Sequence, residues 1–302
     1  MKKKWYLCIV ISVFLSLQVV FCAGFCLAEE FQFEESMKLV ALVDDAAALV
    51  AEKGAAAFSL FSEEGSRWRH GEIYIFVLGL DGTFIVHPDP QLAGKNQMNL
   101  TDVNGKPIVR SSIAKATENG EKQGTWLHYL WAKPGEISPI WKTTYLRPAK
   151  APSGKEFVVG CGIYNMRMEK AFVIEAVNSA AKLIQKEGKT AFTILRDKKS
   201  EYNYKDTYVF VLDEKGNLLV DPPFPSLEGR NLYDFKDAAG KLLFREFIDV
   251  ANSKGSGWVE YVWPKPDDCT PLKKNSLVRR VETGKDVFIV GTGIYADGST
   301  GS

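Results

Sequence analysis

The chain holds 302 residues, with 38 Lys and Arg set against 37 Asp and Glu, and 46% of it is hydrophobic. That length suits about two domains, and so apolar a composition excludes wholesale disorder. A formal charge of +1 excludes the basic footprint that broad nucleic-acid binding requires.

The chain opens with Met1-Lys2-Lys3-Lys4, runs almost unbroken through apolar residues 8–21, and reaches Cys26-Leu27-Ala28 before Glu29. This is the layout of a secretory signal peptide over residues 1–28, cleaved near Ala28. An uncleaved membrane anchor is the alternative. A lipid-attachment site is disfavoured, because Phe21 before Cys22 and Phe25 before Cys26 are not small. Cleavage leaves 302 less 28, or 274, residues, with 35 basic against 37 acidic. The expected location is periplasmic or secreted. Cys161 and Cys269 then remain, 108 positions apart, which makes no disulfide framework, and a bridge between them is disfavoured.

The rest of the chain is written twice. Tyr74-Ile75-Phe76-Val77-Leu78 answers Tyr208-Val209-Phe210-Val211-Leu212, and Asp81-Gly82 running to His87-Pro88 answers Lys215-Gly216 running to Asp221-Pro222, all at an offset of 134. Asp102 to Lys106 answers Asp237 to Lys241, Trp126 to Pro134 answers Trp258 to Pro266, and Gly160-Cys161-Gly162-Ile163-Tyr164 answers Gly291-Thr292-Gly293-Ile294-Tyr295. Two copies of this size are two domains, expected at 29–165 and 166–297, with a tail at 298–302.

Each copy starts with a helix. In the first, Phe33, Met37, Val40, Ala47, Val50 and Phe58 recur near the helical period; in the second, Phe172, Ala176, Leu183 and Ile184 do so less cleanly. Strands at 74–78 and 84–86 flank the turn signal Asp81-Gly82. A short helix follows with Val109, Ile113 and Ala116 as its stripe, repeated by Phe244, Ile248 and Ala251. Strands at 125–131, 141–147 and 157–164 complete the unit. The predicted fold class is α+β: in each copy, a leading helix packed with an antiparallel sheet of about five strands.

This succession resembles the Cache family of extracellular sensor domains, in its type-2 single form. The resemblance rests on the Tyr74-led strand, Asp81-Gly82-Thr83 with His87-Pro88, Gly94-Lys95-Asn96, Asp102 to Pro107 with Arg110, Tyr129-Leu130-Trp131, Lys142-Thr143-Thr144-Tyr145 and Gly162-Ile163-Tyr164. It implies a PAS-like domain outside the membrane that binds small organic molecules, often short carboxylates. The second copy departs from the pattern at Asp221 for His87 and at Leu277 for Tyr145.

The period of two in strands sorts the candidate ligand residues. Tyr129 and Trp131 share a face kept in the second copy as Tyr261 and Trp263, whereas His128 becomes Glu260, so the first face is read as inward and the second as wet. Tyr and Trp suit an amphiphilic pocket, with plain core packing as the alternative. Arg110 and Arg245 offer a carboxylate a planar fork, against a solvated role or an ion pair with Asp102 or Asp237. Lys142 and Lys274 are second candidate cations, against simple solvation. His87 at a strand end suits an anion; Asp221 in its place suits an amine. Tyr74, Tyr145 and Tyr208 complete the candidate set through the family pattern.

His70, His87 and His128 form no metal motif, and GxSxG, P-loop and dinucleotide motifs are absent from the sequence, so no catalytic residue, metal or cofactor is expected. The functional expectation is an exported small-molecule-binding sensor for a carboxylate or amino-acid-like ligand, relaying its state to a membrane receptor or sensor kinase. A protein-docking module that has lost its pockets is the alternative, and an enzyme with an unrecognised site the third reading.

Overall fold

The structure, a computed structural model, describes residues 31–118, 124–266 and 268–296; the expected signal segment and tail lie outside them. The first helix, α1 (Glu34–Lys53), carries Glu34 and Glu35 in its first turn and Lys53 in its last, signs that complement the helix dipole. It stops at Gly54, whose φ of 56° is a left-handed value that glycine adopts without a side-chain clash. Its buried face is Leu39, Val43, Ala46, Ala47 and Val50: Ala47 and Val50 of the expected stripe lie in it, Val40 and Phe58 are half-buried against the same core, and Met37 is 45% exposed. The helix is apolar on several sides, so the periodicity admits more than one stripe, and the sheet selects among them.

After the short helix α2 (Phe58–Ser62) and a ribbon of β1 (Arg69–His70) and β2 (Ile73–Tyr74) come β3 (Phe76–Gly79), β4 (Phe84–Val86), α3 (Val109–Glu118), β5 (Thr125–Ala132), β6 (Pro139–Lys150) and β7 (Glu156–Tyr164). The second copy repeats the series as α4 (Lys170–Glu187), α5 (Ala191–Arg196), ribbon β8 (Asn203–Tyr204) and β9 (Thr207–Tyr208), β10 (Phe210–Asp213), β11 (Leu218–Val220), α6 (Leu243–Lys254), β12 (Ser256–Lys265), β13 (Asp268–Thr283) and β14 (Asp286–Tyr295). The five-stranded sheets run β4-β3-β7-β6-β5 and β11-β10-β14-β13-β12, antiparallel throughout. Both are therefore the α+β, PAS-like arrangement read from the sequence.

Each sheet is buried on both faces. In the first, Val77, Trp126, Tyr145 and Val159 pack against α1, while Phe76, Leu127, Leu146 and Val158 face α3 and the loop before it. The same division recurs in the second sheet. This alternation decides which side chains can share a pocket.

The two repeats meet through polar contacts. The fully buried Glu169, just ahead of α4, accepts hydrogen bonds from the Gln32 and Phe33 N–H groups at 2.7 and 3.0 Å and from the Ser36 hydroxyl at 2.6 Å. Lys115 on α3 bridges Glu175 at 3.1 Å and Glu201 at 2.7 Å. Burial opposes its charge, yet the two carboxylates hold its ammonium above the usual lysine value.

The expectation of a wet face divides between the copies: the Glu260 side chain is 65% exposed, whereas His128 is half-buried against the second repeat. Its ring stacks on Tyr204 of the second repeat at 4.0 Å, with 14° between planes, and contacts Phe172. Burial drives its imidazole well below the usual histidine value. The Cys161 thiol is free and buried.

Candidate functional site

Lys142 is the centre of the first site, and its place follows from strand register. Its Cα partners across β6 are Tyr129 on β5 and Tyr164 on β7, so two tyrosines flank it. From the preceding ribbon, Tyr74 reaches the same spot. The Lys142 ammonium donates to Tyr74 Oη at 2.6 Å and lies 3.9 Å from that ring's centre and 4.8 Å from the centre of Tyr164. The expected alternative of a solvated lysine is corrected: Lys142 is 0% exposed. Burial pushes its ammonium down to about 7, with the nearby Cys161 and Glu72 pulling the other way.

Room for the lysine comes from glycine. A Cβ on Gly162 would lie 2.5 Å from Thr144 Oγ1 and 2.6 Å from Lys142 Cε; on Gly160 it would lie 2.4 Å from the Phe76 ring. Gly160 and Gly162, two apart on one strand, thus provide clearance on a crowded sheet face.

His87 closes one side. Its Nδ1 accepts the Asp89 N–H at 3.0 Å, which leaves the proton of the neutral ring on Nε2. Burial, helped by the charge of Lys142, lowers the imidazole to about 3, so it is neutral at physiological pH. His87, Tyr74, Tyr129 and Trp131 line a narrow cavity together with Phe84 and Ser112. The structure thus brings Tyr74, His87, Tyr129, Trp131 and Lys142 into one cluster. It offers an ammonium, an imidazole N–H and phenol hydroxyls against an aromatic wall, a set that complements a small anion with a short apolar body.

Three expected residues lie elsewhere. Tyr145 is on the α1 side of the sheet, packed with Trp126 at 4.8 Å. It is three positions from Lys142 in one strand, and an odd spacing puts the two on opposite faces. Arg110 is exposed and donates to Asn99 at 2.9 Å. Arg245 pairs with Asp234 and lies 4.6 Å from the Tyr233 ring centre. Neither arginine pairs with Asp102 or Asp237. Those aspartates tie their own loops instead: Asp102 accepts the N–H groups of Asn104, Lys106 and Leu130, and Asp237 those of Ala239, Lys241 and Val262. The recurring Asp-x-x-Gly-Lys is thus a loop staple.

The second repeat rebuilds the centre with other partners. Lys274 has Tyr261 and Tyr295 as cross-strand neighbours and lies 3.9 Å from the ring centre of Tyr208 and 4.8 Å from that of Tyr295. Trp263 stands next to Tyr261 at 6.3 Å between ring centres. Asp221 takes the place of His87 and is 4% exposed. Burial raises its carboxyl and lowers the Lys274 ammonium, each opposed by the other's charge. Residues that sequence reasoning missed, Tyr164, Tyr295 and Gly162 among them, carried one available signal: their strand repeats intact in both copies.

Among the described residues, no group of three His, Cys, Asp or Glu is placed to hold a metal, and no helix is long and apolar enough to cross a membrane.

Comparison with known proteins accords with this geometry. The sensor histidine kinase MctS of Rhizobium johnstonii is 38% identical over 93 residues, which are 31% of this chain and 20% of that protein. The methyl-accepting chemotaxis protein McpP of Pseudomonas putida is 29% identical over 92 residues, 30% of this chain and 16% of that protein. The matched stretch is thus a small part of either relative's length. A solved structure, described as a periplasmic sensor domain of a chemotaxis protein, is 30% identical with a TM-score of 0.39, covering 42% of this chain and 95% of that one. A family model described as Cache domain matches residues 62–200 and again 173–301. Two matches laid over two sheets of one strand order make this chain a member of the Cache domain family.

Proposed function

We propose that the chain is an exported sensor that binds a short carboxylate in its first repeat and passes its ligand state to a membrane receptor or sensor kinase. The observation that carries this reading is the buried Lys142 ammonium, set among tyrosines beside the neutral His87. A lone buried cation costs several kcal/mol, and a carboxylate reaching it repays that cost through charge-assisted hydrogen bonds. The aromatic-walled cavity beside it is narrow, about 10 Å³, so an occupant of a few carbons enters only by displacing lining side chains. A signalling partner is supported by the kinds of protein that share the fold, a chemotaxis receptor and a sensor kinase. In this reading residues 29–165 and 166–297 are two sensor units behind a signal segment removed near Ala28, and the protein works in the periplasm or outside the cell.

Isothermal titration of the exported chain, unfolded and refolded to strip carried-over ligand, tests the proposal with monocarboxylates of about two to four carbons. Binding is expected, and Lys142→Met is expected to weaken it by about tenfold or more. Binding that survives Lys142→Met unchanged overturns the site. Silence across the panel from a cooperatively folded sample transfers the reading to a protein-docking module. N-terminal sequencing of the exported protein checks the cleavage.

A further inference from the structure

A cleft of about 700 Å³ lies between the two repeats, lined by none of the residues gathered around Lys142 or Lys274. Matching positions of the two copies face each other in it. Asp44 on α1 matches Asn178 on α4, a register set by the stops at Gly54 and Gly188 and by the buried pairs Val43 with Val177 and Val50 with Ile184. Arg147 on β6 matches Arg279 on β13, each following its lysine, Lys142 or Lys274, by five residues. In the first copy the Asp44 carboxylate answers Arg147 at 2.8 Å. In the second the carboxylate has become an amide. Arg279 donates to Asn178 Oδ1 at 2.6 Å and has no acidic partner among the described residues.

The next turns of α4 change in the same direction. Lys182 and Gln185 continue the face of Asn178 at helical spacing, line the cleft, and stand where α1 carries the exposed Ala48 and Ala51. Lys182 forms no ion pair among the described residues. The other two cations of the cleft are already matched, Lys115 by Glu175 and Glu201, and Arg147 by Asp44. Among the lining residues four cations face three carboxylates, and the excess sits on the wall of Arg279 and Lys182. A monoanion answers that excess. The amides beside it donate and accept, which suits hydroxyl groups, and Val40 and Ile174, another matched pair, add an apolar strip. From Asn178 to Gln185 the helix rises about 10 Å, nearer a sugar's length than a two-carbon acid's.

We infer that the cleft between the repeats is a second binding site, for a sugar acid: its carboxylate accepts from Arg279 and Lys182, its hydroxyls bond the amides of Asn178 and Gln185, and its C–H face lies against Val40 and Ile174. Because the walls come from both copies, an occupant bridges them. The inference goes beyond the short carboxylate proposed for the first repeat and does not rest on it, since the two sites share no residue.

The test is isothermal titration of the refolded chain with glucuronate, galacturonate and gluconate. At least one is expected to bind. The neutral parent sugar and cyclohexanecarboxylate, a ring acid without hydroxyls, should each be weaker by about tenfold or more. The double variant Asn178→Asp with Lys182→Ala gives this face of α4 the residues of α1 and should lower the affinity by a similar factor, while Lys142→Met should leave it within about threefold. Circular dichroism and a cooperative melt check that the variants fold; the analogue series needs no variant and decides the matter even if one does not. Silence across the three acids, a neutral sugar or hydroxyl-free acid that binds as tightly, affinity kept in the double variant, or affinity lost in Lys142→Met each overturns the inference. Short-carboxylate binding with sugar-acid silence defeats this inference alone, and sugar-acid binding with short-carboxylate silence defeats the first-repeat proposal alone.

Discussion

A lysine lowered to about 7 by burial would make the proposed carboxylate recognition depend on pH, and the sign is fixed. An arriving carboxylate favours the charged ammonium, so binding takes up a proton wherever the free site has lost it. Affinity at the first repeat should therefore hold below about pH 7 and weaken by up to about tenfold per unit above it, as titrations from pH 6 to 9 would read. Stability runs the other way. The unfolded lysine binds more protons than the buried one between about 7 and its ordinary value, so the penalty of Lys142 fades as pH rises through that window. The melting difference between wild type and Lys142→Met should shift in favour of wild type by up to about 1 kcal/mol per pH unit from 7 to 9. Arg110→Ala should leave carboxylate affinity within about threefold, because its guanidinium is engaged at the surface by Asn99. Lys142 was legible in the sequence as a candidate cation; its burial was not, because lysine usually snorkels to solvent and nothing local says that tyrosines enclose it.

At the scale of the element, β7 and β14 owe their close approach to missing side chains. Gly162→Ala should destabilise the fold by about 1–3 kcal/mol in urea and weaken carboxylate binding, since the new Cβ meets Lys142 Cε and Thr144 Oγ1. Strands and turns were readable from alternation and from Asp81-Gly82, with one difference: the strand expected at 74–78 breaks at Ile75, so Tyr74 pairs in the ribbon and Phe76–Gly79 in the sheet. The inward face of Tyr129 and Trp131 was readable too. What alternation also forbade, a shared face for Lys142 and Tyr145, had to be applied along the strand and not across a motif. The stripe of α1 was less legible, because a helix rich in Ala, Val and Leu on several sides leaves the choice to the sheet it meets.

For the whole molecule, the duplication announced the architecture, and the contacts between copies stayed hidden. Glu169 binds the start of α1 from more than 130 positions away, and no local pattern records such a pairing. Glu169→Ala should cost about 2–4 kcal/mol, by stranding two N–H groups and the Ser36 hydroxyl, and a scanning melt should show the leading helix loosening first. The hairpin of β8 and β9 has a further consequence. The Tyr204 hydroxyl bonds Thr143, the neighbour of Lys142, at 2.8 Å, and four residues later the Tyr208 ring lies 3.9 Å from the Lys274 ammonium. One short segment thus touches both lysine strands. Equilibrium linkage is symmetric, so any factor by which an occupant at one end alters affinity at the other is returned in full. If both lysine centres take a ligand, the response of one chain would depend on the two concentrations together.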